Sequence, residues 1–362
     1  MLTLEADSTI RAVKNLAFAC AGAKPGARLL ILEEPHELGH YGAALASSVA
    51  DAAEKLDINV TRLTIGFTPE PKDLPEAALS LMSLSDHILY LARLGDQMRF
   101  RPLPYSERSI VSYALTRRAL ASSFCTVPHD AMLALKSAIN AAIATAREIR
   151  ITCPLGSNLR GRARLVKGDI ADVGILRFPL AVFAPVPMEG FSGRIALARF
   201  LVGTGSIYYE PFLHPIDGVV MVHLNGNHAE KYEGSRDAVA GLRSHVGAVA
   251  GRFGLEADFV HSWHAGIHPG CSYEGRAEDN PGRWTGSAFG NPRLLHFHTC
   301  GAYAPGEICW NVLDPTITLD GVELWQGGKL HPERISGGEF VLEAYPELAA
   351  LFEAPEMSVG IV

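Results

Sequence analysis

Apolar and polar positions follow two different rhythms along this chain. Over roughly the first 150 residues, unbroken apolar runs of strand length alternate with longer stretches of helical periodicity. Residues 8 to about 22 read as a helix, and Arg28–Glu33 (RLLILE) as a fully buried strand. A helix over about 41–56 follows, in which Ala43, Ala44, Ala46 and Ala50 permit close packing on a sheet. A strand at 59–65, a proline-rich loop (TPEPKDLP), a helix at 76–82 and a strand at 87–92 keep the order. A strand at 110–115 and a long helix from 129 to about 146 extend it. Strands joined by crossover helices predict an α/β N-terminal domain, residues 1–150, with a mostly parallel open sheet.

From Arg150 the rhythm changes. Segments 148–153, 162–166, 194–201 and 218–224 are short and strand-like, set apart by Gly, Pro and Asn. One helix, about 235–253, interrupts them, and Asp320-Gly321 marks a closing hairpin. The expectation for residues 151–362 is therefore a β-rich α+β domain. There is no internal repeat or low-complexity segment in the chain.

Composition narrows the function classes. With 362 residues, 48% hydrophobic, 20% charged and a net charge of -7, the chain has the balance of a soluble globular protein with two cores. Lys and Arg are scattered, which argues against a nucleic-acid partner. No apolar run approaches the roughly 20 residues that span a bilayer, so no membrane association is expected. The N-terminus has acids ahead of its apolar part and reads as a helix rather than a secretory signal, which makes a cytoplasmic protein the expectation. The six cysteines form no CxxC pair, so a disulfide framework or zinc ribbon is not expected.

Candidate chemistry concentrates between His261 and Leu319. Five of the fourteen histidines fall there: His261, His264 and His268 in HSWHAGIHPGC, and His296 and His298 in LLHFHTCG. Glu307, Cys309 and Asp314 follow in GEICWNVLDP. The 292–300 segment reads as a strand, and period 2 puts both of its histidines on one face. His264 or His268, from a glycine-rich loop, can supply a third imidazole, and Glu307, from a hairpin partner, a carboxylate. Two histidines and one carboxylate with open positions suit non-haem Fe(II), and the same donors hold Zn(II) or Mn(II). Trp263, Tyr273, Trp284, Phe289 and Trp310 are candidates for the walls of a planar substrate's pocket or for plain core. Asp314, before Pro315, reads as a turn residue. Glu189, in APVPMEG, is an isolated acid in a turn.

The more conspicuous string is His36-Glu37-Leu38-Gly39-His40, which fits H-E-x-x-H. On a helix its histidines would share a face and Glu37 would activate a zinc-bound water. It stands directly behind a strand and Pro35, however, and Gly39 weakens a helix by roughly 1 kcal/mol. The expectation is a polar surface turn.

With these residues in view, the C-terminal half resembles the aminopeptidase T group of metallopeptidases. It resembles more closely their relatives the 2,5-dihydroxypyridine 5,6-dioxygenases, Fe(II) enzymes of nicotinate breakdown. Val186-Pro-Met-Glu189-Gly190 is similar to a turn that carries a metal-ligating acid in the peptidases. Trp263-His264-Ala-Gly266 is similar to the dioxygenases' Ser-His-x-Gly, and His296-Phe-His298 stands where the peptidases carry a metal-site histidine. A His-x-Asp motif eight residues before a proline departs: counting back from Pro315, Glu307 and Cys309 stand there instead.

The resemblance implies an aminopeptidase T-like fold and a ring-cleaving Fe(II) dioxygenase acting on a small hydroxylated aromatic or N-heteroaromatic with O₂. His264, His298 and Glu307 would hold the metal, and His296, His268 and Glu189 would serve acid–base or supporting roles. An aminopeptidase- or amidase-type metallohydrolase is the alternative. A homo-oligomer is expected.

Overall fold

The structure, a computed structural model, describes residues 2–67, 74–99, 104–163 and 174–361. Most of the proline-rich loop and the expected strand at 162–166 lie outside these residues. By its internal contacts the chain divides into two compact units, Met1–Leu133 with Ala171–Leu180 and Ala134–Ile170 with Ala181–Val362. Among the described residues no helix is long and apolar enough to cross a membrane.

The first unit is built on a five-stranded sheet. Its order is Asn59–Thr64, Arg28–Glu33, His87–Leu91, Ser109–Ser112 and Leu176–Phe178, with every neighbouring pair parallel. The unbroken apolar run places Arg28–Glu33 centrally, and Leu29, Leu30, Ile31 and Leu32 are buried. Asn59–Thr64, more polar, forms an edge and has no fully buried residue. The fifth strand comes from beyond residue 150, so this sheet is not contiguous in sequence.

Helices Leu45–Glu54, Glu76–Leu84 and His129–Thr145 fall close to their expected places. Arg93–Met98, Arg117–Ala121 and Ser123–Thr126 form helices too short to show a period. Asn15 ties the first helical segment to the chain ahead of His129–Thr145: its amide donates to the carbonyls of Cys125 and Val127 and accepts from the His129 N–H.

The second unit carries an antiparallel sheet of twelve strands among the described residues. The strands that matter for the site run in the order Asn158–Gly161, Phe191–Val202, Glu307–Leu313, Leu294–Cys300, Val260–Ala265 and Val186–Pro187. The expected hairpin joins Thr316–Leu319 to Val322–Gln326. The helix Arg236–Phe253 starts on Ser235, whose side chain accepts the Ala238 N–H, and stops at Gly254 in the left-handed region. Trp284, Phe200, Phe212, Val202 and Leu294 form one core cluster, and Phe289 packs into it.

One expectation needs correction. His264 does not lie on a glycine-rich loop but on the strand Val260–Ala265, which pairs antiparallel with Leu294–Cys300. HSWHA shows no apolar–polar alternation because Trp263, His264 and Ala265 are all buried. The glycines instead end this strand. At Gly266 a Cβ would meet the Asn291 carbonyl at 2.2 Å, so only glycine allows the chain to turn against the start of the next strand.

Candidate metal centre

Strand register brings the site together. His264 stands directly opposite His296 across one ladder, and His298 opposite Cys309 across the next. Opposed residues of an antiparallel pair have Cβ atoms about 5 Å apart, close enough for imidazoles to meet. His296 and His298 share one face by period 2, as the sequence predicts. On the far side, Val202 pairs with Cys309. Continuing that register carries Thr204 alongside Glu307.

The three imidazoles meet through the same atom. His264 Nε2 is 2.5 Å from His296 Nε2 and 3.2 Å from His298 Nε2. Two of them are held from behind. His264 Nδ1 lies 3.2 Å from the Phe183 carbonyl oxygen, and His298 Nδ1 is hydrogen-bonded to a Glu307 carboxylate oxygen. Both acceptors require N–H at Nδ1, so in the neutral rings both Nε2 atoms carry lone pairs that face each other. Facing lone pairs repel unless a cation lies between them. Ligand nitrogens about 2.0–2.1 Å from one ion stand about 2.9–3.4 Å apart, which the 3.2 Å separation matches and the 2.5 Å one approaches. Nδ1 bonded to an oxygen and Nε2 turned inward is also how metal-binding histidines are usually oriented. The donor set fits a divalent transition metal.

The surroundings are dry. His264 and His296 are buried, and His298 is the most open of the three at 9%. Phe289 stacks on His296 with ring centroids 4.3 Å apart, and Phe183 meets His264 edge-on at 6.2 Å. Glu307 is 2% exposed. One of its carboxylate oxygens takes His298 Nδ1–H and the other the Thr204 hydroxyl, while its backbone carbonyl accepts the Tyr209 hydroxyl at 2.9 Å. Burial holds the Tyr209 phenol well above its ordinary pKa, and the nearby Cys309 and Glu307 add to this, so it stays a donor. Cys309 is fully buried, with its sulfur 3.9 Å from Glu307 Oε1. Two overlapping groups could thus hold an ion, His264/His296/His298 and His298/Glu307/Cys309.

The remaining candidates divide. His296, expected as an acid–base group, has its Nε2 inside the cluster with His264. His268 is buried, but its Nδ1 accepts the Gly270 N–H and it belongs to neither group. Glu189 is exposed on the single turn Met188–Gly190. Val186 pairs with Trp263 and Pro187 with Ser262, so the chain beyond Pro187 runs toward Val260 and away from His264. His261 donates to or accepts from nothing in the cluster; its Nε2 bonds the Cys300 carbonyl at 2.7 Å. Trp263, Trp284 and Trp310 are fully buried core, and of the aromatic candidates Phe289 touches a site histidine. Asp314 does shape a turn: it has φ +50° and is held bidentately by Arg293. Thr204 and Phe183 escaped the sequence reading, since a threonine between two glycines and a backbone carbonyl carry no local signal.

His36–His40 forms no such site. His36–Leu38 is one 3-10 turn, closed by Gly39 at φ +72°. His36 is exposed beside Glu37, while His40 is buried edge-on against Tyr41. The turn expected from its context forms, exposed at His36 and Glu37 and buried at His40.

No protein-family model and no curated protein sequence matches this chain. Among solved structures it is similar to 2,5-dihydroxypyridine dioxygenase from Pseudomonas putida KT2440, with TM-score 0.57 and 12% identity over 89% of this chain and 96% of that one. It also matches AmpT from Thermus thermophilus, with TM-score 0.45 and 11% identity over 86% and 94%. The first likeness establishes a shared fold across nearly the whole chain; the remote resemblance read from the sequence is supported.

Proposed function

We propose that this protein is a metal-dependent enzyme, a non-haem Fe(II) oxygenase that opens a small hydroxylated aromatic or N-heteroaromatic ring. The observation that carries the reading is the convergence of three Nε2 atoms, two of them with Nδ1 committed to oxygen acceptors. The shared fold with a protein described as a 2,5-dihydroxypyridine dioxygenase supports the choice of chemistry. Fe(II), when bound, supplies the electron exchange between a chelating hydroxylated ring and O₂ that ring opening requires.

The chain's own residues supply orientation and dryness. The Phe183 carbonyl and the Glu307 carboxylate fix which nitrogen of His264 and His298 faces inward. Phe289 and Phe183 keep water from two of the imidazoles and lower the local dielectric, which strengthens every charge interaction there. Glu189 and His268 have no role in this reading, because neither joins the cluster.

Metal analysis of anaerobically purified protein should find close to one equivalent of iron. O₂ uptake should follow addition of 2,5-dihydroxypyridine or a catechol-like ring. Cleavage of peptides or amides without O₂ would move the assignment to a metallohydrolase, for which Zn(II) on the same donors would activate water. Protein with neither iron, zinc nor manganese near stoichiometry would defeat both.

A further inference from the structure

We propose that the ion is held by three neutral imidazoles, His264, His296 and His298, and that Glu307 acts one shell behind them as a positioning residue set by Thr204. This rests on the metal-centre reading above and departs from a two-histidine, one-carboxylate set. The two nitrogens of an imidazole point away from each other across the ring. On His298, Nδ1 is taken by Glu307 in direct contact, so the nitrogen left for metal is Nε2. That is the atom 3.2 Å from His264 Nε2. His264 repeats the arrangement with the Phe183 carbonyl in place of the carboxylate.

The carboxylate is also fully engaged. Its second oxygen accepts the Thr204 hydroxyl, and the Tyr209 hydroxyl anchors its backbone. A carboxylate 2% exposed is costly to bury unless a positive charge balances it, and its side-chain partners are the neutral His298 ring and the Thr204 hydroxyl. An ion on Nε2 would supply that charge through the ring, which makes burial of Glu307 and occupancy of the centre mutually supporting. The competing group, His298/Glu307/Cys309, would use the Nδ1 that already faces Glu307, and would leave three Nε2 atoms crowded with no cation.

The test uses the full-length chain, stripped of metal and titrated anaerobically with Co(II), and separately loaded with Cu(II) for electron paramagnetic resonance. Wild type should bind one equivalent and show three coupled nitrogens. Glu307→Gln should still bind one equivalent with three nitrogens, but about 10- to 100-fold more weakly, as loss of a supporting hydrogen bond does. His296→Ala should show two nitrogens. Should Glu307→Gln fail to fold, Thr204→Val against Thr204→Ser decides: Val should weaken Co(II) binding several-fold without changing the nitrogen count, and Ser should restore it. Complete loss of stoichiometric binding in Glu307→Gln, three nitrogens retained in His296→Ala, or equal affinity in Thr204→Val and Thr204→Ser would overturn the proposal. A wild-type protein that takes up no Co(II) or Cu(II) would instead overturn the metal-centre reading beneath it.

Discussion

His36 and His40 stand four residues apart in a pattern that suits zinc, whereas His264 and His298 are 34 residues apart and match no short motif. The structure brings the distant pair together. The close pair depends on one assumption, that the segment is α-helical long enough to stack residues i and i+4. The turn at His36–Leu38 ends after three residues at Gly39, so His36 faces water and His40 the protein interior. The distant histidines depend on strand register, which places His264 opposite His296 and leaves His298 one period along. Spacing along a chain is evidence for a site only where the intervening backbone is regular.

The acids of the two regions differ in the same way. Near the first pair, a cleft of about 340 Å³ is lined by Glu33, Glu34, Glu37, Tyr41 and Arg62 among others. Two of its acids are spent on structure: Glu33 is bonded bidentately by Arg62, and Glu34 accepts from Arg93 at both N and Nε. In the second region the Glu307 carboxylate meets His298 and Thr204 instead. A carboxylate on an arginine holds the fold, and one on an inward-turned imidazole can serve an ion.

Replacing one histidine from each region gives the largest expected contrast. His264→Ala should reduce retained metal from about one equivalent to less than about a tenth, because one donor and its orienting bond are lost together. His36→Ala should leave metal content unchanged. Metal analysis of the two variants side by side checks this, and the opposite pattern would restore the zinc-hydrolase reading of H-E-x-x-H.

Next in size is Glu34→Ala. It strands the nearly buried Arg93 guanidinium without its partner and should cost about 3 kcal/mol, read from denaturant unfolding, with metal content preserved. Metal loss there would mean that the first region matters to the centre after all.

The smallest effect sharpens what a buried imidazole does without an ion. His245 stacks on His214 at 4.8 Å, and burial, assisted by His214, lowers its pKa from 6.5 to about 4. The unfolded chain therefore binds a proton below about 6.5 that the folded protein refuses. Stability should be full above that pH and decline as pH falls from 6.5 toward 4. The loss should be on the order of 1–2 kcal/mol, less than the whole shift implies because the ring is not fully shielded from water. It should persist in metal-stripped protein and shrink in His245→Phe, measured as the pH dependence of the unfolding midpoint.

Much of the architecture was legible beforehand. RLLILE predicted a buried strand of a mostly parallel sheet, the spaced helices predicted its crossovers, and Asp320-Gly321 predicted the closing hairpin. The fifth strand of the parallel sheet, Leu176–Phe178, was not legible, because three residues carry no period and their neighbours in the sheet are distant in the chain. The short helix Arg93–Met98 was hidden for the same reason. Within the site, His264, His296, His298 and Glu307 stood out by residue type, yet their roles did not.

What the sequence determined by itself was the inventory: two rhythms of hydrophobicity, a region rich in imidazoles, and an acid, Glu307, close behind them in the chain. Local periodicity and residue chemistry suffice for that. The tertiary structure alone decided that His264 lies on a strand and that Thr204 reaches Glu307. It also decided which nitrogen of each imidazole turns inward. LLHFHTC is buried along its whole length, so no alternation announces which face meets which partner. Orientation there comes from Phe183, Thr204 and Glu307, brought into contact by register summed over several strands, and no local stretch of sequence contains that sum.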